Sequence, residues 1–302
     1  MMTDINTIEK LKGLNTPVYY YDLDVLNNTL KKVKEEAGNT KAIVHYAVKA
    51  NANNRILKII ASYGFGADCV SWNEIDAALK AGFEPGKIVF AGVGKSDMEI
   101  ENAVRAGIFC FNCESIPEME VINQIAGKQG KTADIALRIN PLVEAHTHKY
   151  ITTGIEESKF GIHKHELGQV VESLNRLPHL LLIGLHFHIG SQITKMQVFQ
   201  NLCVHINELQ DWFSARGIEL KTINIGGGLG IDYYNPDEYP LFAEYFGLIR
   251  KMLVLKPGQV LHLEPGRALV GQCGSLISKV LYIKNGTNTK FAIIDAGMTD
   301  LI

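Results

Sequence analysis

A (β/α)8 barrel carrying part of a second, β-rich domain is the fold this chain predicts. Three observations point there: a series of strand-like apolar runs, helix-start signals a few residues after several of them, and a change of character after Arg267. The runs are 42–48, 66–70, 87–91, 108–112, 133–139, 181–188, 221–225 and 259–263, with helix-like segments between them. Strands that alternate with helices build parallel sheets, and eight such units over about 230 residues close a barrel, where an open doubly wound sheet would need fewer strands.

In chain order, Val18-Tyr19-Tyr20-Tyr21 reads as a strand contributed to the β domain. Ser71-x-x-Glu74, Ser96-x-x-Glu99 and Ser115-x-x-Glu118 are capping boxes, in which the serine satisfies one orphan amide and the glutamate another. After the second box Ile100, Ala103, Val104 and Gly107 share one face, the period expected of a helix packed on a sheet. Segment 140–162 is long and polar and carries His146 and His148, with His163 just beyond its end, which suits a functional lid or a disordered segment. Beyond Arg267, 268–284 and 290–295 are short, β-branched and joined by the turn signal Lys284-Asn285-Gly286-Thr287-Asn288. The expected division is 1–30 as a segment joining the β domain, 31–267 as the barrel and 268–302 as the start of a C-terminal β domain. The last stretch is too short for an independent β core, so the chain reads as stopping partway through a domain.

Composition narrows the class. At 46% hydrophobic residues the chain supports a substantial core, and 30 basic against 32 acidic residues leave a formal charge of −2. No basic block tracks a phosphate backbone or an anionic membrane, so neither is an expected partner. The N-terminus lacks the pattern of a signal peptide and no apolar run approaches a bilayer span, which makes the cytoplasm the default location. Cys69, Cys110, Cys113, Cys203 and Cys273 are odd in number and scattered, which suits reduced thiols. Cys110 and Cys113 have odd spacing on a strand and face opposite ways, so no metal site is expected.

Chemistry gathers at the carboxyl ends of the runs, where barrels and α/β sheets bind ligands. Ala42-Ile43-Val44-His45-Tyr46-Ala47-Val48 gives way to Lys49, which alternation places on the face of His45 and Ala47. A desolvated amine there can attack a carbonyl to form a Schiff base; taken alone, it is equally a solvated lysine just past a strand. The sixth run ends in His186-Phe187-His188-Ile189-Gly190-Ser191-Gln192, with His186 and His188 on one face and Ser191 in the following loop. The seventh ends in Gly226-Gly227-Gly228, whose amides can converge on an anion, and a phosphate site after strand seven is a recurring barrel device. The eighth ends in Glu264-Pro265-Gly266-Arg267, a carboxylate and a guanidinium that could also form a local ion pair.

Jointly these clusters suit pyridoxal 5'-phosphate. Lys49 is the Schiff-base amine, the glycine amides with Ser191 and Arg267 hold the phosphate, and His188 stacks on the ring. Glu264 beside the pyridine nitrogen keeps it protonated, making the ring a strong electron sink after loss of carbon dioxide. A cation in that place would weaken the sink.

The motifs Tyr46-Ala47-Val48-Lys49-Ala50-Asn51, His188-Ile189-Gly190-Ser191-Gln192, Gly226-Gly227-Gly228-Leu229-Gly230 and Glu264-Pro265-Gly266-Arg267 resemble those of the alanine-racemase-fold, pyridoxal-phosphate-dependent decarboxylases. That family includes the diaminopimelate and ornithine decarboxylases, and Gln192 is closer to the diaminopimelate branch. Thr16-Pro17-Val18-Tyr19, Ser158-Lys159-Phe160-Gly161 and Asp295-Ala296-Gly297-Met298 also match, so the resemblance spans the chain.

The resemblance implies a TIM barrel, decarboxylation of meso-2,6-diaminopimelate to lysine in lysine biosynthesis, and a cytoplasmic homodimer with an active site between subunits. It adds Asp68, Arg138 and Gly266 to the cofactor pocket and implies that Arg267 also meets the substrate carboxylate. Family members continue beyond Ile302 with a substrate arginine, a Cys-Glu-Ser motif and a tyrosine near the cofactor, so low activity and a weak dimer are expected of residues 1–302 taken alone. The competing readings are a non-catalytic cofactor-binding homologue or inactive truncation, a decarboxylase for ornithine or arginine, an alanine-racemase-like enzyme and a cofactor-free Schiff-base aldolase. Glu264 disfavours the racemase, where a basic residue is expected at the ring nitrogen. The aldolase leaves Glu264 and His188 unexplained.

Overall fold

A computed structural model describes residues 11–141, 159–235 and 240–301, together with Glu9 and Glu238. Strand β1 (Val18–Tyr21) lies outside the barrel, and helix α1 (Leu23–Thr40) leads from it into the barrel wall. The wall is eight parallel strands: β2 (Ala42–Ala47), β3 (Gly66–Cys69), β4 (Ile88–Phe90), β5 (Cys110–Cys113), β6 (Ala133–Arg138), β7 (Leu180–His186), β8 (Thr222–Asn224) and β9 (Val260–Leu263). They pair in sequence order, and β9 pairs with β2 to close the ring. The intervening helices are α2 (Asn54–Ser62), α3 (Trp72–Ala81), α4 (Asp97–Ala106), α5 (Ile116–Lys128), α6 (Leu167–Leu174), α7 (Met196–Ser214) and α8 (Phe242–Met252). After the short helix α9 (Arg267–Val270), β10 (Gly274–Ile277) pairs antiparallel with β1, and β11 (Val280–Asn285) forms a hairpin with β12 (Lys290–Ile294).

The expected runs all appear as strands, shifted or trimmed by one or two residues. The long segment expected between the fifth and sixth barrel strands falls in part outside the described residues, since 142–158, with His146 and His148, is not among them. Its far end returns to the wall: Ile162 N donates to Arg138 O at 2.7 Å and Asn140 N to Ile162 O at 3.0 Å. Among the described residues, no helix is long and apolar enough to cross a membrane.

Of the three expected capping boxes only that of Ser96 closes reciprocally, with Ser96 N donating to Glu99 Oε2 at 3.0 Å. Ser71 and Ser115 do cap α3 and α5, but their glutamates reach one residue further back, to Val70 N and Glu114 N, both at 2.7 Å. The chain enters these helices directly from a barrel strand, so the amide before the serine is the one left without a partner. Gly107 is not part of the buried face of α4; it ends that helix in the left-handed region at φ 68°.

Inward-facing side chains change character along the barrel axis. Val89, Cys110, Ala136 and Ile183 form a small apolar cluster inside it, while Cys113 packs in the larger core between strands and helices. On β2, His45 Nδ1 donates to Lys87 O at 3.0 Å, which leaves Nε2 to accept from His262 Nδ1 of β9 at 2.7 Å. Two residues further along the same strands come Ala47, Asn112, Arg138 and Glu264. Because residues i and i+2 share a face, the interior turns polar at the carboxyl ends, and Asp68, Asn112, Arg138, Asn224 and Glu264 are all buried there.

Closure of the wall requires a close strand approach at Gly184, where a Cβ would lie 2.0 Å from Thr222 Oγ1 and 2.3 Å from Thr222 O. Gly184→Ala is expected to destabilise the protein by about 3 kcal/mol, the scale of overpacking a tight interior. Urea denaturation would test this, and an unchanged midpoint would show that β7 and β8 can separate freely.

Candidate active site

Strand β2 ends at Ala47, and Lys49 sits in the 3-10 turn Val48–Ala50 that follows, so the turn rather than strand alternation delivers its amine to the barrel mouth. Its side chain is 48% exposed, and Nζ lies 3.8 Å from Asp68 Oδ2 at the end of β3. Two cavities of about 430 Å³ each meet here and share Lys49, His188 and Glu264 as lining residues. One lobe adds Ser191, Gly228, Tyr233, Gly266 and Arg267; the other adds Asp68, Arg138 and Phe160.

Glu264 is buried, and its partners come from three other strands. His186 Nε2 lies 2.8 Å from Oε2, while Asn224 Nδ2 and Asn112 Nδ2 lie 2.7 and 3.4 Å from Oε1. Burial is the largest single influence and works to raise this carboxyl, but the charge and hydrogen bond of His186, with His45 and His188, together hold the group well below the usual carboxylate range. Asp68 goes the other way: burial and the nearby Glu264 charge push it up to about 7 against the opposing pull of Lys49. His188 is pushed well below its ordinary value by burial, then by Lys49 and Arg138, which suits a neutral ring. The expected alternative of a Glu264–Arg267 ion pair is not what forms, since Arg267 Nη1 donates to Tyr233 OH.

Of the three glycines, Gly228 lines the cavity, at φ +106° and with its virtual Cβ 2.8 Å from Gly190 O. Gly226 and Gly227 stand behind it: the Gly226 amide already donates to Asn224 Oδ1 at 2.9 Å, and a Cβ on Gly227 would lie 2.1 Å from Glu264 O. The expectation that all three amides converge on an anion is therefore corrected for Gly226, which packs against the backbone of Phe187 and gives its N–H to Asn224. Gln192, at φ 60°, pins the next loop through Nε2 to Ile231 O at 2.6 Å. On the opposite side Arg138 donates to Glu114 Oε1 at 2.6 Å, and Glu114 Oε2 accepts the Gly161 amide at 3.0 Å.

Asn112, Glu114, Asn224 and Tyr233 were not expected in the site. Asn112 carried a signal, being the polar residue at the end of the apolar run Ile108-Phe109-Cys110-Phe111, and Asn224 a weaker one, sitting between Ile223 and Ile225. Tyr233 carried none.

The residues present fit pyridoxal phosphate: an amine, a neutral imidazole and a carboxylate face one cavity, Gly228 leaves room where a Cβ would collide, and the buried atoms Asp68 Oδ1 and Arg267 Nε have no hydrogen-bond partner among the described residues. Residues 23–271 match the family described as pyridoxal-dependent decarboxylase, pyridoxal binding domain. The chain belongs to the pyridoxal-dependent decarboxylases. Within them it is 56% identical, over 100% of its own length and 79% of the relative's, to a diaminopimelate decarboxylase of Bacteroides thetaiotaomicron. The diaminopimelate decarboxylase of Helicobacter pylori strain J99 is 39% identical over 98% of this chain and 73% of its own. The structure of a Helicobacter pylori diaminopimelate decarboxylase complexed with L-lysine superposes with a TM-score of 0.91 at 39% identity, over 97% of this chain and 73% of that one.

The opposite shifts of Asp68 and Glu264 give a pH test on the cofactor-free protein. The folded-state value of Asp68 is raised above 3.8 to about 7, so the stability it contributes is full at low pH and is lost as pH rises towards 7. Asp68→Asn removes that loss, and its stability relative to the parent should improve by on the order of 2 kcal/mol between about pH 5 and pH 8. Chemical denaturation at both values would check this; a pH-independent difference would show that Asp68 stays ionised.

Proposed function

We propose that this chain carries the pyridoxal-phosphate-dependent decarboxylation of meso-2,6-diaminopimelate to L-lysine and carbon dioxide, in lysine biosynthesis. The observation that carries the reading is the convergence of Lys49, His188 and Glu264 on the boundary between two cavity lobes. Identity to diaminopimelate decarboxylases over the whole chain supports the substrate.

Lys49 Nζ supplies the amine that anchors the cofactor. The Gly228 cradle, backed by Gly226 and Gly227, with Ser191, Gly266 and Arg267, holds the phosphate, and Arg267 also receives the substrate carboxylate. His188, neutral, would lie against the face of the bound ring. Asp68 and Arg138 line the second lobe, where Asp68 faces Lys49 across 3.8 Å. Bound pyridoxal phosphate supplies the electron sink for the carbanion left when carbon dioxide departs. Glu264 holds the proton on the ring nitrogen, which keeps that sink strong. A cytoplasmic homodimer, with the barrel spanning about 31–267 and the β segments 1–30 and 268–302 belonging to a second domain, completes the proposal.

Borohydride reduction of the loaded protein followed by peptide mapping should place the label on Lys49; a label on another lysine would overturn the anchoring role. Glu264→Gln should lower carbon dioxide release from diaminopimelate by on the order of a hundredfold or more, as when a main electrostatic contact is removed. A variant within about threefold of the parent would exclude that role. Ornithine and arginine, run beside diaminopimelate, decide the substrate: faster release from either would replace the proposed one.

A further inference from the structure

Glu264 is held by side chains that the proposed reaction does not use. Asn224 Oδ1 accepts the Gly226 amide at 2.9 Å, which fixes the orientation of its amide group. The atom 2.7 Å from Glu264 Oε1 is therefore the Nδ2 donor, and Oε1 is an acceptor. The other oxygen faces His186 Nε2 at 2.8 Å. His186 Nδ1 is buried and has no partner among the described residues. An orphaned buried N–H is rarer than an under-used acceptor, so the proton belongs on Nε2, which donates to Oε2.

Both carboxylate oxygens are thus tied to donors in the barrel wall, and Glu264 still lines both cavity lobes. His186 is 1% exposed and lines the second lobe, and among the described residues its hydrogen bond to Glu264 is the one polar contact that its ring nitrogens make. Asn224 also secures the glycine cradle, whereas this imidazole is spent on the carboxylate alone.

We propose that His186 is the positioning residue of Glu264: its Nε2 hydrogen bond turns the carboxylate to the cavity and sets how strongly the site holds a protonated ring nitrogen. The proposal rests on the reading of Glu264 given above.

The test compares the affinity of the cofactor-free full chain for pyridoxal phosphate and for its 1-deaza analogue, in which carbon replaces the ring nitrogen, by fluorescence titration. The parent is expected to prefer the nitrogen ring. His186→Phe keeps an aromatic ring without the donor and should cut that preference by about tenfold, the scale of a hydrogen bond to a charged group. His186→Gln, whose amide nitrogen reaches close to the position of Nε2, should restore most of it. If His186→Phe does not fold, His186→Asn, too short to reach Oε2, should show the same loss. An undiminished preference in these variants, or equal weakening for both ligands, would overturn the proposal. Equal affinity of the parent for the two ligands would instead remove the role of Glu264, and the proposal with it.

Discussion

A buried carboxylate held by hydrogen bonds from the barrel wall is the constraint around which the mouth of this barrel is built. Removing such a charge from water costs several kcal/mol unless hydrogen bonds replace the solvent. Glu264 meets that requirement with His186, Asn224 and Asn112, which stand on β7, β8 and β5. No single helix or hairpin could bring them together; they converge because the sheet closes on itself. The close approach at Gly184 and the parallel register of β7 with β8 therefore act directly on the chemistry of the site.

The loops add a second layer of fixation on each side of the carboxylate. On one, Gln192 grips the backbone of Ile231, and Ile193 N donates to Gly228 O at 2.9 Å, so the loops after β7 and β8 move as one cradle. On the other, Glu114 ties the Arg138 guanidinium to the amide of Gly161, and Phe160 lies under that guanidinium with its centroid 4.7 Å away. The two clamps hold opposite lobes, and Lys49, half exposed on the 3-10 turn between them, keeps the freedom to reach either.

Much of this was legible in the chain because it follows from periodicity. Eight apolar runs with polar ends announce a parallel barrel, and a lysine, a histidine, three glycines and a carboxylate at those ends announce where it works. What could not be read depends on distance across the barrel. Glu264 and Arg267, three residues apart, looked like partners, yet Glu264 binds His186, Asn224 and Asn112 while Arg267 binds Tyr233. Gly226 and Gly228 look alike in sequence, but one amide is consumed by Asn224 and the other residue faces the cavity. The glutamates of two capping motifs serve the amide before the cap because a strand feeds the helix without a loop.

On the proposed reading, the sign of the charge at the ring nitrogen separates decarboxylation from simple proton transfer. The surroundings of Glu264 bear on that choice as much as Glu264 does. His45 and His262 beneath it are both pushed below their ordinary values, chiefly by burial, so the barrel floor offers no competing cation. Its hydrogen-bond donors hold the carboxylate without neutralising it. An anion kept buried in this way gains most from a ligand that brings a positive charge to the cavity, and a protonated pyridine nitrogen is such a ligand.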